Sequence, residues 1–227
     1  MSELEVASRL AKGRRQLSDE VAEHVRSMVL AGKYRPGDFL RHEKLAAELG
    51  ISVTPVREAL LALRGEGFLR LEARRGFVVA PLNRRDFEDL YTMQATVAGQ
   101  LAGRAAAAMS ESVCEELIEV QNRLEKAAAS QKFAVVEELN EDFHRVINRS
   151  AESAKLGWLL NSILNYLPTR YYADMAGMTN MTIADHRKIL DAIQVNNSEA
   201  AAQSMHDHTM NSLNAFLTHL DSEGVWS

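Results

Sequence analysis

The sequence predicts a mainly α-helical chain in two parts: an N-terminal winged helix-turn-helix over residues 1–82, and a C-terminal antiparallel bundle of six helices over residues 83–227. Apolar residues recur at helical spacing through most of the chain, and alanine-rich runs favour helix further. Two short strand-like runs stand out, at 68–71 and 77–79, on either side of a polar tip. Pro81 follows the second run and marks the predicted boundary between the parts.

The composition is that of a soluble protein of the cytoplasm. The single cysteine, Cys114, excludes an intramolecular disulfide, and no segment approaches the roughly 18 apolar residues of a membrane span. The net charge of −5 is unevenly distributed: residues up to Leu82 carry a net charge of +3, and those from Asn83 onward carry −8. A basic N-terminal part followed by an acidic C-terminal part is typical of a nucleic-acid-binding domain joined to a domain that does not bind nucleic acid.

Three helices precede the strand-like runs. The first is predicted over residues 18–31, followed by a turn at 34–38 that contains proline and glycine. The second spans about 42–49 and ends at Gly50. The third starts at Ser52 and has a proline in its first turn, where the missing N–H costs nothing. With the hairpin that follows, this pattern predicts a winged helix.

Beyond Asn83 the sequence shows no convincing strand. Polar breaks of the kind that join antiparallel helices separate six helical segments. These segments span about 84–109, 112–130, 132–150, 153–175, 179–196 and 198–220.

The start of the third helix has the side chains that a DNA-reading helix requires. Ser52 and Thr54 can donate hydrogen bonds to phosphates near the positive helix N-terminus, and Arg57 can reach a phosphate or a guanine edge. Arg75, with Gly76 allowing a close approach, lets the wing enter the minor groove. The alternative is an ordinary helical hairpin with a solvated basic face. The predicted contacts to double-stranded DNA are Arg35, Ser52, Thr54, Pro55, Arg57, Arg75 and Gly76.

Histidines mark the second part as a candidate metal-binding domain. His144 lies one helical turn after Asn140 on an apolar stripe, and His186 and His208 lie on apolar faces of later helices. Three inward imidazoles and an amide oxygen can converge on one divalent ion. A single histidine on an apolar face is more often a hydrogen-bonded core residue, and periodicity alone does not distinguish His208 from His206.

The first part resembles the GntR family of bacterial regulators over residues 17–81. The resemblance rests on Pro36-Gly37, Leu45-Ala46, Gly50-Ile51-Ser52, Thr54-Pro55-Val56-Arg57-Glu58-Ala59-Leu60, Glu66-Gly67-Phe68 and Arg75-Gly76. Members of the family carry an arginine at the start of the recognition helix, where this chain has Val53. The resemblance therefore implies an operator preference that differs from the common family site, or an affinity that depends more on Arg57 and the wing.

The second part resembles the FCD effector domain, so the predicted bundle is of the FCD type. The similar segments are 140–144, 185–193 and 205–208, within a match over most of residues 84–220. The resemblance implies a divalent transition metal, zinc or nickel, and it names four ligands. These ligands are Asn140, His144, His186 and His208.

Two departures from the FCD pattern affect this site. Aspartate is the usual first ligand of the family, so Asn140 removes one negative charge from the metal site. Gln94 and Ala98 stand where the family tends to have an arginine and a glutamate. If the family arginine binds a ligand carboxylate, another cation must replace it, and the candidates are Arg104, Arg145 and Arg170.

The leading hypothesis is a homodimeric repressor that is not an enzyme. The two DNA-binding domains of the dimer bind a pseudo-palindromic operator. A small organic acid that binds in the helical domain causes the dimer to dissociate from the operator. A metal-responsive regulator, a purely structural metal and a decayed pocket remain open alternatives. A metal-dependent hydrolase is disfavoured, because the sequence offers no poised general base and no nucleophile motif.

Overall fold

A computed structural model describes residues 3–72, 75–81, 83–164, 166–167, 177–222 and 224, with side chains from residue 17 onward. The chain divides into two compact units. The first comprises Met1–Asn83 with Leu220–Ser227, and the second comprises Arg84–His219.

Three helices form the body of the first unit: α1 (Glu3–Leu30), α2 (His42–Leu49) and α3 (Val53–Gly65). The predicted first helix, 18–31, is the C-terminal half of a longer α1, so the prediction placed its start too late. Arg26 is buried and its guanidinium donates to Glu66 at 2.7 Å and to Glu23, which ties α1 to the end of α3. Burial of this charge is tolerated because both carboxylates compensate it.

The turn between α2 and α3 is set by Gly50 and Ser52. Gly50 has φ +67°, a left-handed conformation that ends α2, and its N–H bonds back to the last carbonyls of that helix. Ser52 is extended and begins α3 as its N-cap residue. Pro55 lies in the first turn of α3, where no intrahelical donor is lost.

A three-stranded antiparallel sheet completes the first unit, with β1 (Phe39–Leu40), β2 (Leu69–Glu72) and β3 (Gly76–Val79) in the order β1-β3-β2. The register pairs Leu69 with Val79 and Leu40 with Phe77. The hairpin was predicted, but β1 was not, because two residues carry no periodicity.

The described residues of the second unit contain six helices: α4 (Arg84–Ala108), α5 (Glu111–Ala129), α6 (Phe133–Ser150), α7 (Ala154–Leu164), α8 (Met178–Gln194) and α9 (Ser198–Ser222, whose last turn belongs to the first unit). The predicted fold class, a winged helix-turn-helix followed by a six-helix bundle, is confirmed. One boundary was wrong: α7 ends at Leu164, about three turns into what was predicted as a helix to residue 175, and residues 168–176 lie outside the described part.

Close packing of α4 on α9 organises the second unit. Gly99 and Gly103 on α4 face the backbone of Ala202 and Ser198 on α9. The ring of Phe216 on α9 lies against Tyr91 of α4, with centroids 6.2 Å apart. None of the helices in the described residues is long and apolar enough to cross a membrane.

Candidate functional site

Three histidines from α6, α8 and α9 converge inside the second unit. Candidate ligand nitrogens of His144, His186 and His208 all lie within 4.8 Å of one another. Their ring centroids are separated by 4.9 to 5.2 Å. A tetrahedral ion with Zn–N distances of about 2.1 Å holds its ligand nitrogens about 3.4 Å apart, so the upper limit on the nitrogen separations exceeds that of a closed site by about 1.4 Å.

A chain of hydrogen bonds orients His186. Its Nδ1 lies 3.0 Å from Oε1 of Gln121, whose Nε2 donates to Glu125 at 2.9 Å. Arg187 in turn donates to Glu125 at 2.6 Å. Because the carboxylate of Glu125 accepts from the Gln121 amide nitrogen, the amide oxygen must face His186, and Nδ1 of His186 carries the proton.

The second nitrogen of His186 is left with a lone pair. Nε2 is buried, and in the described part of the chain it has no hydrogen-bond partner. One face of the His186 ring stacks on the ring of Phe143, with centroids 3.8 Å apart. A buried, unprotonated imidazole nitrogen held in a fixed orientation is the arrangement of a metal ligand with an outer-shell partner.

A carboxylate also lies near His208, whose Nδ1 is buried and has no hydrogen-bond partner among the described residues. Oδ2 of Asp185 is 3.9 Å from Nδ1 of His208, and both side chains are buried. Asp185 also accepts from Lys188 and Asn211, each at 2.8 Å. Proximity to His208, followed by these two donors, lowers the pKa of Asp185 against the opposing effect of burial, so the carboxylate is charged. It can orient His208 for coordination through Nε2.

Two of the three histidines are held neutral. Burial, and then the neighbouring His208, lowers the pKa of His144 to about 3. The same two causes, with His144 added, hold the pKa of His186 well below its usual value. Both rings are therefore unprotonated at neutral pH, as metal coordination requires.

A cavity of about 920 Å³ opens beside the cluster, within the second unit. Asn140, His144 and His208 line it, whereas His186 lies behind them. The four predicted ligands thus lie on α6, α8 and α9, and three of them face the cavity. Other polar residues on its wall include Tyr91, Gln94, Glu137, Glu141, Asn148, Glu152, Asn161, Thr182 and Thr209.

The predicted effector-binding arginines have different positions. Arg145 lines the cavity and pairs with Asp142. Arg104 is not itself a lining residue, but it donates at 3.1 Å to Ser153, which is, so its role in effector binding stays a prediction. Arg170 lies outside the described residues. The sequence prediction missed Arg149, which lines the cavity one helical turn after Arg145; that spacing was the available signal.

Two polar groups on α4 also face the cavity. The hydroxyl of Tyr91 and Oε1 of Gln94 are buried, and neither has a hydrogen-bond partner within the described residues. Tyr91 was missed by the sequence prediction. Its i, i+3 relation to Gln94 places both on one face of α4.

The predicted DNA-reading residues lie on an exposed edge of α3. Ser52, Thr54 and Arg57 are exposed, and Val53 beside them is 39% exposed. Pro55 is buried on the opposite face, so its assignment as a DNA contact was wrong; it shapes the first turn instead.

The wing carries an exposed arginine that lies close to two neighbouring side chains. Arg75 is exposed, and its guanidinium lies 5.6 Å from the ring centroid of Phe39 in β1 and 3.9 Å from Glu72. Gly76 has φ +99°, a conformation that favours glycine at the hairpin tip. Arg35 is exposed in the turn before β1, where its backbone N–H donates to Asp38.

Known proteins match both parts of the chain. Residues 17–79 match the family described as bacterial regulatory proteins, gntR family, and residues 89–211 match the FCD domain. The chain is 26% identical over 192 residues to the HTH-type transcriptional regulator YdhC of Bacillus subtilis, covering 81% of this chain and 84% of that protein.

Two further relatives are named as repressors. The gluconate operon transcriptional repressor of Bacillus licheniformis is 26% identical, with 83% of this chain and 80% of the relative covered. The probable D-xylose utilization operon transcriptional repressor of Paenarthrobacter nicotinovorans is 27% identical, with 87% and 89% covered.

The fold is similar to that of solved regulators. McbR/YncC of E. coli superposes with a TM-score of 0.68 at 18% identity, covering 91% of this chain and 97% of that one. A GntR regulator from Rhodococcus sp. RHA1 gives a TM-score of 0.58 at 23% identity, covering 88% and 97%. With an FCD domain over more than half of its length and a gntR helix-turn-helix before it, the chain belongs to the GntR family of DNA-binding transcriptional regulators.

Proposed function

We propose that the second unit binds a small carboxylate together with a divalent transition ion, and that this binding controls DNA binding by the first unit. The observation that carries the proposal is the buried lone pair of His186 Nε2, which belongs to a three-histidine cluster beside a cavity of about 920 Å³. The donor set fits a metal ion, because three converging imidazoles suit zinc or nickel.

The amide of Asn140 favours an anionic ligand. Histidine and amide ligands bring no negative charge to a divalent ion, whereas an aspartate at this position would cancel part of the charge of the ion. When bound, the ion supplies positive charge that attracts a carboxylate at the wall of the cavity. Arg145 lines the same cavity and can approach such a group if it leaves Asp142.

In the first unit, the exposed edge of α3 and the wing are the surfaces that bind DNA in this proposal. Ser52 and Thr54 contact phosphates, Arg57 contacts a phosphate or a guanine, and Arg75 enters the minor groove. Arg35 and Gly76 add backbone contacts beside the wing. A homodimer presents two such surfaces to a pseudo-palindromic operator.

The names of two relatives favour repression over activation. A ligand that binds more tightly to the DNA-incompetent arrangement shifts the population away from the operator-bound state. Repression relieved by the carboxylate is therefore the proposed direction of control.

A second candidate is a regulator that responds to the metal alone. The three-histidine cluster is complete without an organic molecule, which supports this alternative. The two candidates differ in one measurement: for a metal sensor, operator affinity follows free zinc or nickel with no carboxylate present.

The test begins with the metal content of untagged protein purified without chelator. We expect close to one zinc or nickel per chain in the wild type and in His206→Ala, and none in His144→Ala. His206 is the matched control, because helical periodicity alone does not distinguish it from His208 as a metal ligand. Fluorescence anisotropy on an operator enriched from random DNA then follows affinity as carboxylates or metal are added. No metal in the wild type, with unchanged thermal stability on adding ions, contradicts the proposal.

A further inference from the structure

The wall of the cavity near α4 bears polar groups but no charge. The hydroxyl of Tyr91 and Oε1 of Gln94 are buried without partners in the described residues, and both side chains line the cavity. Tyr91 is 1% exposed and its ring packs against Phe216, so it cannot turn to solvent. Buried polar groups are nearly always hydrogen-bonded, so both atoms require a partner, and the cavity that both residues line has room for one.

The charged residues of the cavity lie elsewhere. The described lining residues include two arginines and three glutamates. Both arginines belong to α6 and are largely exposed: the side chain of Arg145 is 67% exposed and pairs with Asp142, and that of Arg149 is 63% exposed and pairs with Glu116. Neither is a buried, uncommitted cation that could compensate a carboxylate beside Tyr91 and Gln94.

We infer that Tyr91 and Gln94 form a subsite for an uncharged hydroxyl group, so that the cavity selects a hydroxylated monocarboxylate over a dicarboxylate. This inference rests on the proposed function, which places the single carboxylate of the ligand at the metal. A ligand hydroxyl donates to Oε1 of Gln94 and accepts from Tyr91, which satisfies both orphan atoms. Rotating the Gln94 amide exchanges acceptor for donor without adding a charge, so the preference holds for either orientation.

A second carboxylate at this subsite is disfavoured for a physical reason. It would lose its hydration without gaining a cation, and a neutral amide and hydroxyl compensate a buried negative charge only weakly. A methyl group there would leave both polar atoms unsatisfied. The subsite therefore discriminates on both sides, against the more charged and against the more apolar ligand.

The test uses the zinc-loaded full chain and three matched series of probes, from three to eight carbons. Each ω-hydroxy acid, such as 5-hydroxypentanoate, is compared by calorimetry with the dicarboxylate and the plain monocarboxylate of equal length. We expect the hydroxy acid to bind about tenfold tighter than both at the best length. A dicarboxylate or a plain acid that binds as tightly at every length overturns the inference and leaves the proposed function intact. No binding of any carboxylate contradicts both.

Two variants assign the preference to these residues. Tyr91→Phe keeps the ring packing and should weaken the hydroxy acid about three- to tenfold while leaving the plain acid unchanged. Gln94→Arg supplies a cation and should reverse the order in favour of the dicarboxylate. Tyr34→Phe in the first unit and Gln100→Arg on the exposed side of α4 are the matched controls. An unchanged order of ligands in Gln94→Arg, with zinc still bound, overturns the assignment.

Discussion

Oε1 of Gln121 lies 3.0 Å from Nδ1 of His186, and this contact decides which nitrogen of the histidine faces the cluster. The orientation of the amide is itself fixed, because Nε2 of Gln121 donates to Glu125. The tautomer of a buried ring is thus set by a chain of hydrogen bonds that ends at the half-exposed guanidinium of Arg187.

Replacing Gln121 tests this relay. Gln121→Leu removes the acceptor and frees His186 to adopt either tautomer, so we expect zinc affinity to fall about 10- to 100-fold. Gln121→Glu keeps an acceptor for His186 and should lose less affinity than Gln121→Leu, although a proton must be shared with Glu125 because the donor to that carboxylate is removed. Zinc affinity is measured by competition with a chromogenic chelator, and the unfolding midpoint of the metal-free proteins shows whether the core is intact. Equal zinc affinity in Gln121→Leu and the wild type would contradict the relay.

Much of this arrangement was accessible from sequence, because it depends on helical periodicity. The inward positions of His144 and His186 follow from apolar residues at three- and four-residue spacing, whereas the choice of His208 over His206 came from the family resemblance. The structure brings these three together. Gln121 and Asp185 were not predicted. A polar residue at an inward helical position has no visible partner in the sequence, since the partner lies on another helix.

The boundaries of the helices and strands also divide into those that periodicity predicts and those that depend on tertiary contacts. The long helices of the bundle were predicted within a few residues, because many turns repeat one pattern. Strand β1 and the early end of α7 were missed, since a two-residue strand depends on its partner strand and a helix end depends on local tertiary packing. Pro55 was assigned to the DNA surface because the family motif contains it, although its side chain is buried.

The neutral histidines predict a pH-dependent stability of the metal-free protein. His144 has a folded-state pKa of about 3 against 6.5 in the unfolded chain, and the pKa of His186 is lowered too. Below pH 6.5 the unfolded chain binds more protons, so stability is complete above that pH and falls as pH decreases. Each such histidine contributes a loss of about 1.4 kcal/mol per pH unit.

Urea unfolding of chelator-treated protein at pH 7.5, 6.5 and 5.5 measures this loss. We expect His144→Gln to lose about half as much stability between pH 6.5 and 5.5 as the wild type, and His206→Ala to behave like the wild type. A wild-type free energy of unfolding that is independent of pH in this window would show that the rings are not held neutral.

Arg57 should control operator affinity. It is exposed near the start of α3, beside Val53, where the family pattern has an arginine. We expect Arg57→Ala to weaken binding to an enriched operator by about 1–3 kcal/mol. Anisotropy titrations at several salt concentrations distinguish its role: a base contact reduces the preference over random DNA, whereas a phosphate contact lowers the salt slope by about one. Arg64→Ala, in the last turn of the same helix, is the matched control, and an equal loss in both variants would indicate a general charge effect.

The packing of α4 on α9 should be the most sensitive backbone contact in the second unit. A Cβ placed on Gly103 would lie 2.9 Å from the carbonyl oxygen of Ser198, and one on Gly99 would lie 2.8 Å from that of Ala202. Both obstacles are backbone atoms, so the helices must move apart to admit a methyl group. We expect Gly103→Ala to destabilise the protein by about 1–3 kcal/mol. Gly157→Ala on α7 meets nothing within 4 Å and should stabilise it by up to about 1 kcal/mol through helix propensity. Urea unfolding of both variants checks the pair, and a neutral Gly103→Ala would show that α4 and α9 are not locked at this distance.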